Sequence, residues 1–304
     1  MIDRICVFAG QGAQSPGMGK DLAADADIAA LFDRANGVLG FDIAKLCFEG
    51  PAEELTKSNI CQPAIFTVSV AAFRAFQKKF PSATFAMTGG LSLGEWTALH
   101  IAGVLSFDET LRVLEARGRF MQMACEEQPS GMVSVMGATP EQISELCEKS
   151  DITVANINSD AQIVLSGAKD GVAAAAKAAG EMGVKSIVLN VAGAFHSPLM
   201  QSARVKLADV LKDITFNAPT IPVLANVTGT PHSNDPTVIK EEMLRQVTES
   251  VRWADCIKTA IAAGGKTFIE FGPGKVLSGL IKRINKEAAT LNVADVPTLE
   301  AITL

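Results

Sequence analysis

Thr84-Phe85-Ala86-Met87-Thr88-Gly89-Gly90-Leu91-Ser92-Leu93-Gly94-Glu95-Trp96 carries the strongest structural signal in the chain. An apolar, β-prone run, Thr84–Thr88, enters a cluster of glycines and leaves as the helical pattern Thr97–Gly103. Gly90-x-Ser92-x-Gly94 between a strand and a helix is the nucleophile-elbow context. Small residues on both sides of the serine let the chain turn sharply without Cβ clashes. The hydroxyl is then held above the sheet. The following helix points free N–H groups and its positive end toward developing negative charge.

Moving outward, other short β-like runs end in glycine in the same way. Ile5–Ala9 stops at Gly10, Ile221–Val227 near Gly229, and Thr267–Phe271 at Gly272-Pro273-Gly274. Longer helical segments lie between them, among them Pro63–Phe80 and Phe107–Met123. Strands apolar on both faces and separated by helices predict an α/β fold with a parallel sheet covered on both sides. The middle of the chain reads differently. Met132–Met136, Ile152–Ala155, Gln162–Ser166 and Ser186–Val191 are strand-like, and Pro140–Lys149 and Ala168–Met182 are helix-like. This β-α-β-β-α-β series is the ferredoxin-like order. It predicts an inserted small domain at 127–196, with 1–126 and 197–304 forming the larger one.

Composition narrows the function. Apolar residues make up 48% of the 304 positions and charged residues 20%, enough for a large core. With 27 basic and 33 acidic residues the formal net charge is −6, which argues against a general nucleic-acid binder. Cys6, Cys47, Cys61, Cys125, Cys147 and Cys256 form no C-x-x-C pair and match neither a zinc site nor a disulfide framework. They predict reduced, mostly buried thiols in a cytoplasmic protein. The opening Met1-Ile2-Asp3-Arg4 has no signal-peptide character, and no apolar run reaches membrane-spanning length.

A serine hydroxyl is a weak nucleophile without a base. Of the three histidines, His100 follows the serine on its helix and reads as a surface or packed residue. His232 sits in the polar turn Pro231-His232-Ser233-Asn234-Asp235-Pro236 and reads as solvent-exposed. His196 lies in the small-residue turn Val191–Pro198, where the small domain rejoins the large one, and is the favoured base. No aspartate or glutamate stands out as a third member. A second glycine loop, Gly10-Gln11-Gly12-Ala13-Gln14-Ser15-Pro16-Gly17-Met18-Gly19, fits nucleotide binding poorly. Ser15 stands where a dinucleotide fingerprint needs glycine, and Lys20 is followed by Asp21 rather than by serine or threonine.

Phe8-Ala9-Gly10-Gln11-Gly12-Ala13-Gln14, Gly90-x-Ser92-Leu93-Gly94-Glu95, Phe195-His196-Ser197 and Phe271-Gly272-Pro273-Gly274 occur in that order and spacing. Together they resemble the malonyl-CoA:acyl carrier protein transacylases, and the acyltransferase domains of fatty acid and polyketide synthases, over almost the whole chain. The resemblance implies an α/β-hydrolase-like large domain with the ferredoxin-like insert. It implies that Ser92 attacks a thioester while His196 takes its proton, and that the N–H groups of Gln11 and Leu93 form the oxyanion hole. It implies that Arg117 grips the malonyl carboxylate, a task suited to a planar guanidinium. Without it, nothing separates Arg117 from Arg112 or Arg119. Gln246 matches an active-site glutamine, near whose backbone carbonyl the family's histidine is oriented. Malonyl-CoA and an acyl carrier protein are the implied partners, in fatty acid synthesis, with no metal or bound cofactor; a monomer is the default expectation. Two positions depart from the family pattern: Leu91 stands where histidine is usual, and Trp96 where a hydroxylated aromatic or phenylalanine is frequent. Leu91 bears on acyl selectivity, whereas Phe195 favours malonyl over a branched methylmalonyl group. Lys275, Lys282, Arg283 and Lys286 are expected to form the docking patch for an acidic carrier protein. The other readings are a standalone polyketide-pathway acyltransferase, a serine thioesterase or hydrolase, and a non-catalytic carrier-protein scaffold.

Overall fold

The computed structural model describes residues 3–304; Met1 and Ile2, at the start of the segment read as lacking a signal peptide, lie outside them. Its strands are β1 (Arg4–Phe8), β2 (Met87–Gly90), β3 (Ser130–Met136), β4 (Ile152–Ser159), β5 (Gln162–Ala168), β6 (Lys185–Val188), β7 (Thr267–Phe271) and β8 (Ala289–Val293). They form two sheets: a parallel one in the order β2-β1-β7-β8 and an antiparallel one in the order β4-β5-β3-β6.

The parallel sheet is apolar on both faces because helices cover both. On one side Phe8, Phe73, Phe76, Phe85 and Phe271 meet with ring centroids 5.1 to 6.1 Å apart. Two of these rings come from the helix Ser58–Lys79, which is buried almost continuously from Cys61 to Phe73. That helix starts five residues before the expected Pro63. Pro63 is its sixth residue, where the missing N–H leaves one intrahelical hydrogen bond unmade. On the other side Ile5, Val7 and Phe268 pack with Trp253, Ile257, Leu277 and Ile281.

The expected strand Ile221–Val227 is not one. Only an isolated parallel bridge, Thr88 with Val223, joins it to β2, through Thr88 N–H to Pro222 O (2.9 Å) and Leu224 N–H to Thr88 O (2.8 Å). Pro222 has no N–H for a ladder, and the chain turns back at Gly229. β2 starts three residues later and ends two residues later than read from the sequence, and β6 ends at Val188 rather than Val191. β8 escaped the sequence reading, since Ala289-Thr290-Leu291-Asn292-Val293 is a half-polar edge strand.

The middle segment follows the expected β-α-β-β-α-β course, with helices Pro140–Ser150 and Lys169–Glu181. Period-two alternation decides its role. Val133 and Val135 of β3 face those helices, packing with Leu146, Leu165, Val172 and Ala175. Met132, on the opposite face, lines a cavity. The edge strand β4 is tied to the rest of the chain by Ile157 N–H to Val251 O and Val251 N–H to Ala155 O, both 2.8 Å.

Candidate active site

The turn after β2 brings Ser92 to φ 57° and ψ −105°, a conformation L-residues rarely adopt. Its neighbours must be glycines for lack of space. A Cβ on Gly90 would sit 2.1 Å from the carbonyl carbon of Gly94, and one on Gly94 would sit 2.2 Å from Phe8 O. Asn226, wholly buried, staples the elbow: its Oδ1 accepts from Ser92 N–H (2.7 Å) and its Nδ2 donates to Gly90 O (2.8 Å). The helix Leu93–Ile101 begins immediately after the serine.

His196 comes from the loop after β6 and also has positive φ, 56°. Ser166 Oγ donates to Phe195 O (2.9 Å) and Ser197 Oγ to Ala194 O (2.6 Å), which fixes the loop. His196 Nε2 is 2.9 Å from Ser92 Oγ, and Nδ1 is 2.7 Å from Gln246 O. A backbone carbonyl only accepts, so Nδ1 carries the proton and Nε2 is free to take one from the serine. Burial and the nearby Arg117 charge hold the imidazole pKa down to about 4, against the pull of the Gln246 carbonyl. The base is therefore neutral at physiological pH without a carboxylate partner.

Arg117, on the helix Phe107–Glu127, is 1% exposed. Its Nη1 donates to Gln62 Oε1 (2.7 Å), and its Nη2 to Ser92 Oγ (3.0 Å) and Gln246 Oε1 (3.0 Å). All three acceptors are uncharged, and the Nε–H has no partner among the described residues. Burial lowers this guanidinium to about 10, so it remains cationic at neutral pH. A buried cation whose direct partners are all neutral, offset only by the charge of Glu95 beyond Gln246, is costly, and it is complementary to an anion arriving beside the serine. Gln246 joins the parts: its Nε2 donates to Ser92 O (3.0 Å) and to Glu95 Oε2. Behind it, buried Glu95 also accepts from Asn226 N–H (3.2 Å) and lies 2.7 Å from His232 Nε2.

Ser92 and His196 open onto a cavity of about 540 Å³ whose walls include Gln11, Leu91, Met121 and Phe195. Among the described residues neither the Gln11 nor the Leu93 N–H donates to a protein acceptor. Two such donors beside a serine nucleophile can hold a thioester oxyanion. No group of three or more His, Cys, Asp or Glu among the described residues could hold a metal ion, and no helix is long and apolar enough to cross a membrane.

An acyl transferase domain model matches residues 5–301. The malonyl CoA-acyl carrier protein transacylase of Escherichia coli strain K12 is 41% identical over 286 residues, 91% of each chain. That of Bacillus subtilis strain 168 is 39% identical over 97% of this chain and 94% of the relative. The chain belongs to the malonyl-CoA:acyl carrier protein transacylase family. An acyl carrier protein S-malonyltransferase structure from Vibrio cholerae superposes with TM-score 0.94 at 37% identity, covering 99% of this chain and all of the other. A malonyl-transacylase solved in complex with a type II PKS acyl-carrier protein superposes with TM-score 0.94 at 36% identity, covering 98% of each.

Of the six residues singled out in the sequence, Ser92, Arg117, His196 and Gln246 are joined by hydrogen bonds, Leu93 opens the helix after Ser92, and Gln11 lines the same cavity. His232 is the exception to the sequence reading. It is buried, not solvent-exposed, because its N–H donates to Val223 O (2.8 Å) and the Leu224–Pro231 bridge folds the turn inward. His100 is packed between Phe66 and Phe107, with Nδ1 3.0 Å from Leu105 O. Of the two departures from the transacylase pattern, Leu91 lines the cavity, whereas Trp96 is fully buried against Phe216 in the core. All six cysteines are free thiols, five buried and Cys147 half-buried. Gln62, Glu95 and Asn226 went unassigned in the sequence reading. Glu95 and Asn226 become legible only once the elbow and the turn after Val223 are seen to touch.

Proposed function

We propose that the chain transfers a malonyl group from malonyl-CoA to the phosphopantetheine thiol of an acyl carrier protein, by way of a malonyl ester on Ser92. The observation that carries this is the Arg117 guanidinium, buried without an anionic partner and 3.0 Å from the serine oxygen. A malonyl group on Ser92 places its free carboxylate within reach of that charge; an acetyl group offers nothing in exchange.

In the first half-reaction Ser92 Oγ attacks the thioester carbonyl and its proton passes to His196 Nε2. The Gln11 and Leu93 N–H groups stabilise the oxyanion. Collapse breaks the C–S bond, and the CoA sulfur leaves with the proton held on His196. In the second half-reaction the carrier thiol gives its proton to His196, attacks the ester, and releases Ser92 as the proton returns to its oxygen. We assign residues 1–126 and 197–304 to the catalytic unit and 127–196 to the small unit that closes the cavity, and place the protein in the cytoplasm. The complex of a related transacylase with a type II PKS acyl-carrier protein keeps a polyketide client as the second reading. Both clients would present the same thiol.

Intact-mass spectrometry after mixing with malonyl-CoA, followed by an acyl carrier protein, tests the reading. The expected result is a malonyl adduct that moves to the carrier protein and is absent from Ser92→Ala. Loss of the adduct to water at the same rate with or without the carrier would make the protein a hydrolase.

A further inference from the structure

His232 has no part in the reaction just described, yet both its ring nitrogens are partnered by carboxylates close to it. Its ring is wholly shielded from solvent and lies between two carboxylates, Glu95 Oε1 2.7 Å from Nε2 and Glu242 Oε2 beside Nδ1. An ionised carboxylate only accepts, and a neutral imidazole has one N–H. Two acceptors on the two ring nitrogens therefore require one extra proton in the group. Burial opposes a charge on the ring, but the hydrogen bonds with Glu242 and Glu95 and their charges outweigh it and raise the pKa to about 9.

The two glutamates differ in what lies beyond them. Glu242, at 13% side-chain exposure, sits at the rim, one helical turn from Arg245 and its partner Glu249. Glu95 is inside, and Gln246 alone separates it from Arg117: Gln246 Nε2 donates to Glu95 while its Oε1 accepts from Arg117. From the helix Trp253–Ala262, Cys256 also faces Glu95, but burial and that carboxylate keep its thiol protonated. The charges in line are thus Glu242 minus, His232 plus, Glu95 minus, Arg117 plus. Glu95 would be the natural counter-ion of Arg117 if nothing else neutralised it.

We propose that His232 is a positioning residue for acyl selectivity: as an imidazolium it neutralises Glu95, so that the Arg117 charge is left for the carboxylate of the incoming malonyl group. This rests on Arg117 being the malonyl anchor. His232 contacts no reacting atom; it acts through Glu95 and Gln246. The consequence is specific, because a neutral acyl group has no stake in the charge on Arg117. Loss of the imidazolium lets Glu95 compete with malonyl for the same guanidinium, whereas a purely structural loss would slow every acyl donor alike.

The test compares Ser92 acylation by malonyl-CoA and by acetyl-CoA, in single turnovers followed by intact mass. His232→Gln is expected to cut the malonyl rate about tenfold at sub-saturating donor, the scale of one partly screened charge, and to leave the acetyl rate within about twofold. His232→Gln combined with Glu95→Gln, which removes both members of the pair, is expected to restore most of the malonyl preference. In the unaltered protein the preference should begin to fall as pH rises through about 9, whereas His232→Gln should keep only the later fall that comes with loss of the Arg117 charge near 10. With only three histidines in the chain, nitrogen-15 NMR reads the His232 ring directly, and both its nitrogens should be protonated at pH 7.5. Equal slowing of both donors, or a neutral ring at that pH, overturns the proposal. Should His232→Gln not fold, the ring spectrum and the alkaline limb of the unaltered protein decide. Arg117→Ala separates the two levels: if it leaves the malonyl preference intact, the anchor assignment fails, and this inference with it.

Discussion

At the scale of single residues, the site is built from groups held in states that water would not allow. Ser92 and His196 both occupy positive φ, a conformation that costs of the order of 1–3 kcal/mol for each and persists only because the surroundings over-determine it. Asn226 clamps the backbone of one, and Ser166 and Ser197 hold the loop of the other. His196 is kept neutral by burial and by Arg117, which gives a pH signature. The rate of Ser92 acylation is expected to stay level as pH falls past 6.5 and to drop only toward about 4, where the base becomes protonated. Rapid-quench acylation across that range checks it; an inflection near 6.5 would mean a solvated histidine. The sequence named both partners of this pair. The carbonyl that orients the base came only from the family resemblance, near Gln246; read by itself Gln246 O is an ordinary helix C-cap carbonyl until the fold brings it to His196.

The elbow shows how a secondary-structure element fixes chemistry through space rather than propensity. Gly94 belongs to a helix, where glycine is unfavourable, but the helix passes so close to β1 that no Cβ fits beside Phe8 O. Gly94→Ala is expected to cost about 3 kcal/mol through overpacking and to lower acylation by displacing Ser92. Gly37→Ala, in the helix Ala26–Leu39 with open space around it, is expected to stabilise by about 0.5–1 kcal/mol. Urea denaturation of the two variants reads the opposite signs. The same element explains why the turn was legible: strand, glycine, serine, glycine and helix are all contiguous. The run Ile221–Val227 was misread because an apolar stretch reports burial, while strand identity depends on a ladder that Pro222 cannot supply.

For the molecule as a whole, the two buried histidines pull stability in opposite directions with pH. His196, depressed from 6.5 to about 4, contributes stability above 6.5 that is lost as pH falls toward 4. His232, raised from 6.5 to about 9, contributes stability below 6.5 that is lost as pH rises through 9. Each is of the order of 3 kcal/mol, so thermal unfolding is expected to show a maximum near neutrality, and His232→Gln to flatten its alkaline side. The helix Val276–Ile284 borders the cavity through Val276 and Leu280 and exposes Lys275, Lys282 and Arg283, with Lys286 just beyond. On a chain of net charge −6 this patch suits an acidic carrier protein. Charge reversal at Lys275 and Lys282 is expected to raise KM for the carrier protein far more than KM for malonyl-CoA, measured in steady state. Equal effects on both would remove the patch from the docking surface.

The sequence by itself determined what is local and periodic. It placed the nucleophile on its elbow, set the ferredoxin-like order of the middle segment through strand and helix periods, and argued through net charge against a general nucleic-acid binder. The tertiary structure alone decided which distant groups share a dielectric. Arg117 and Arg119 are two residues apart on one helix, yet Arg119 pairs with Glu115 at the surface while Arg117 is sealed beside Ser92. His232 looked like a residue of a polar turn and became a buried ion between two carboxylates. Charge state follows burial and counter-ions, and both are set by parts of the chain more than a hundred residues apart, as Glu95 and His232 are.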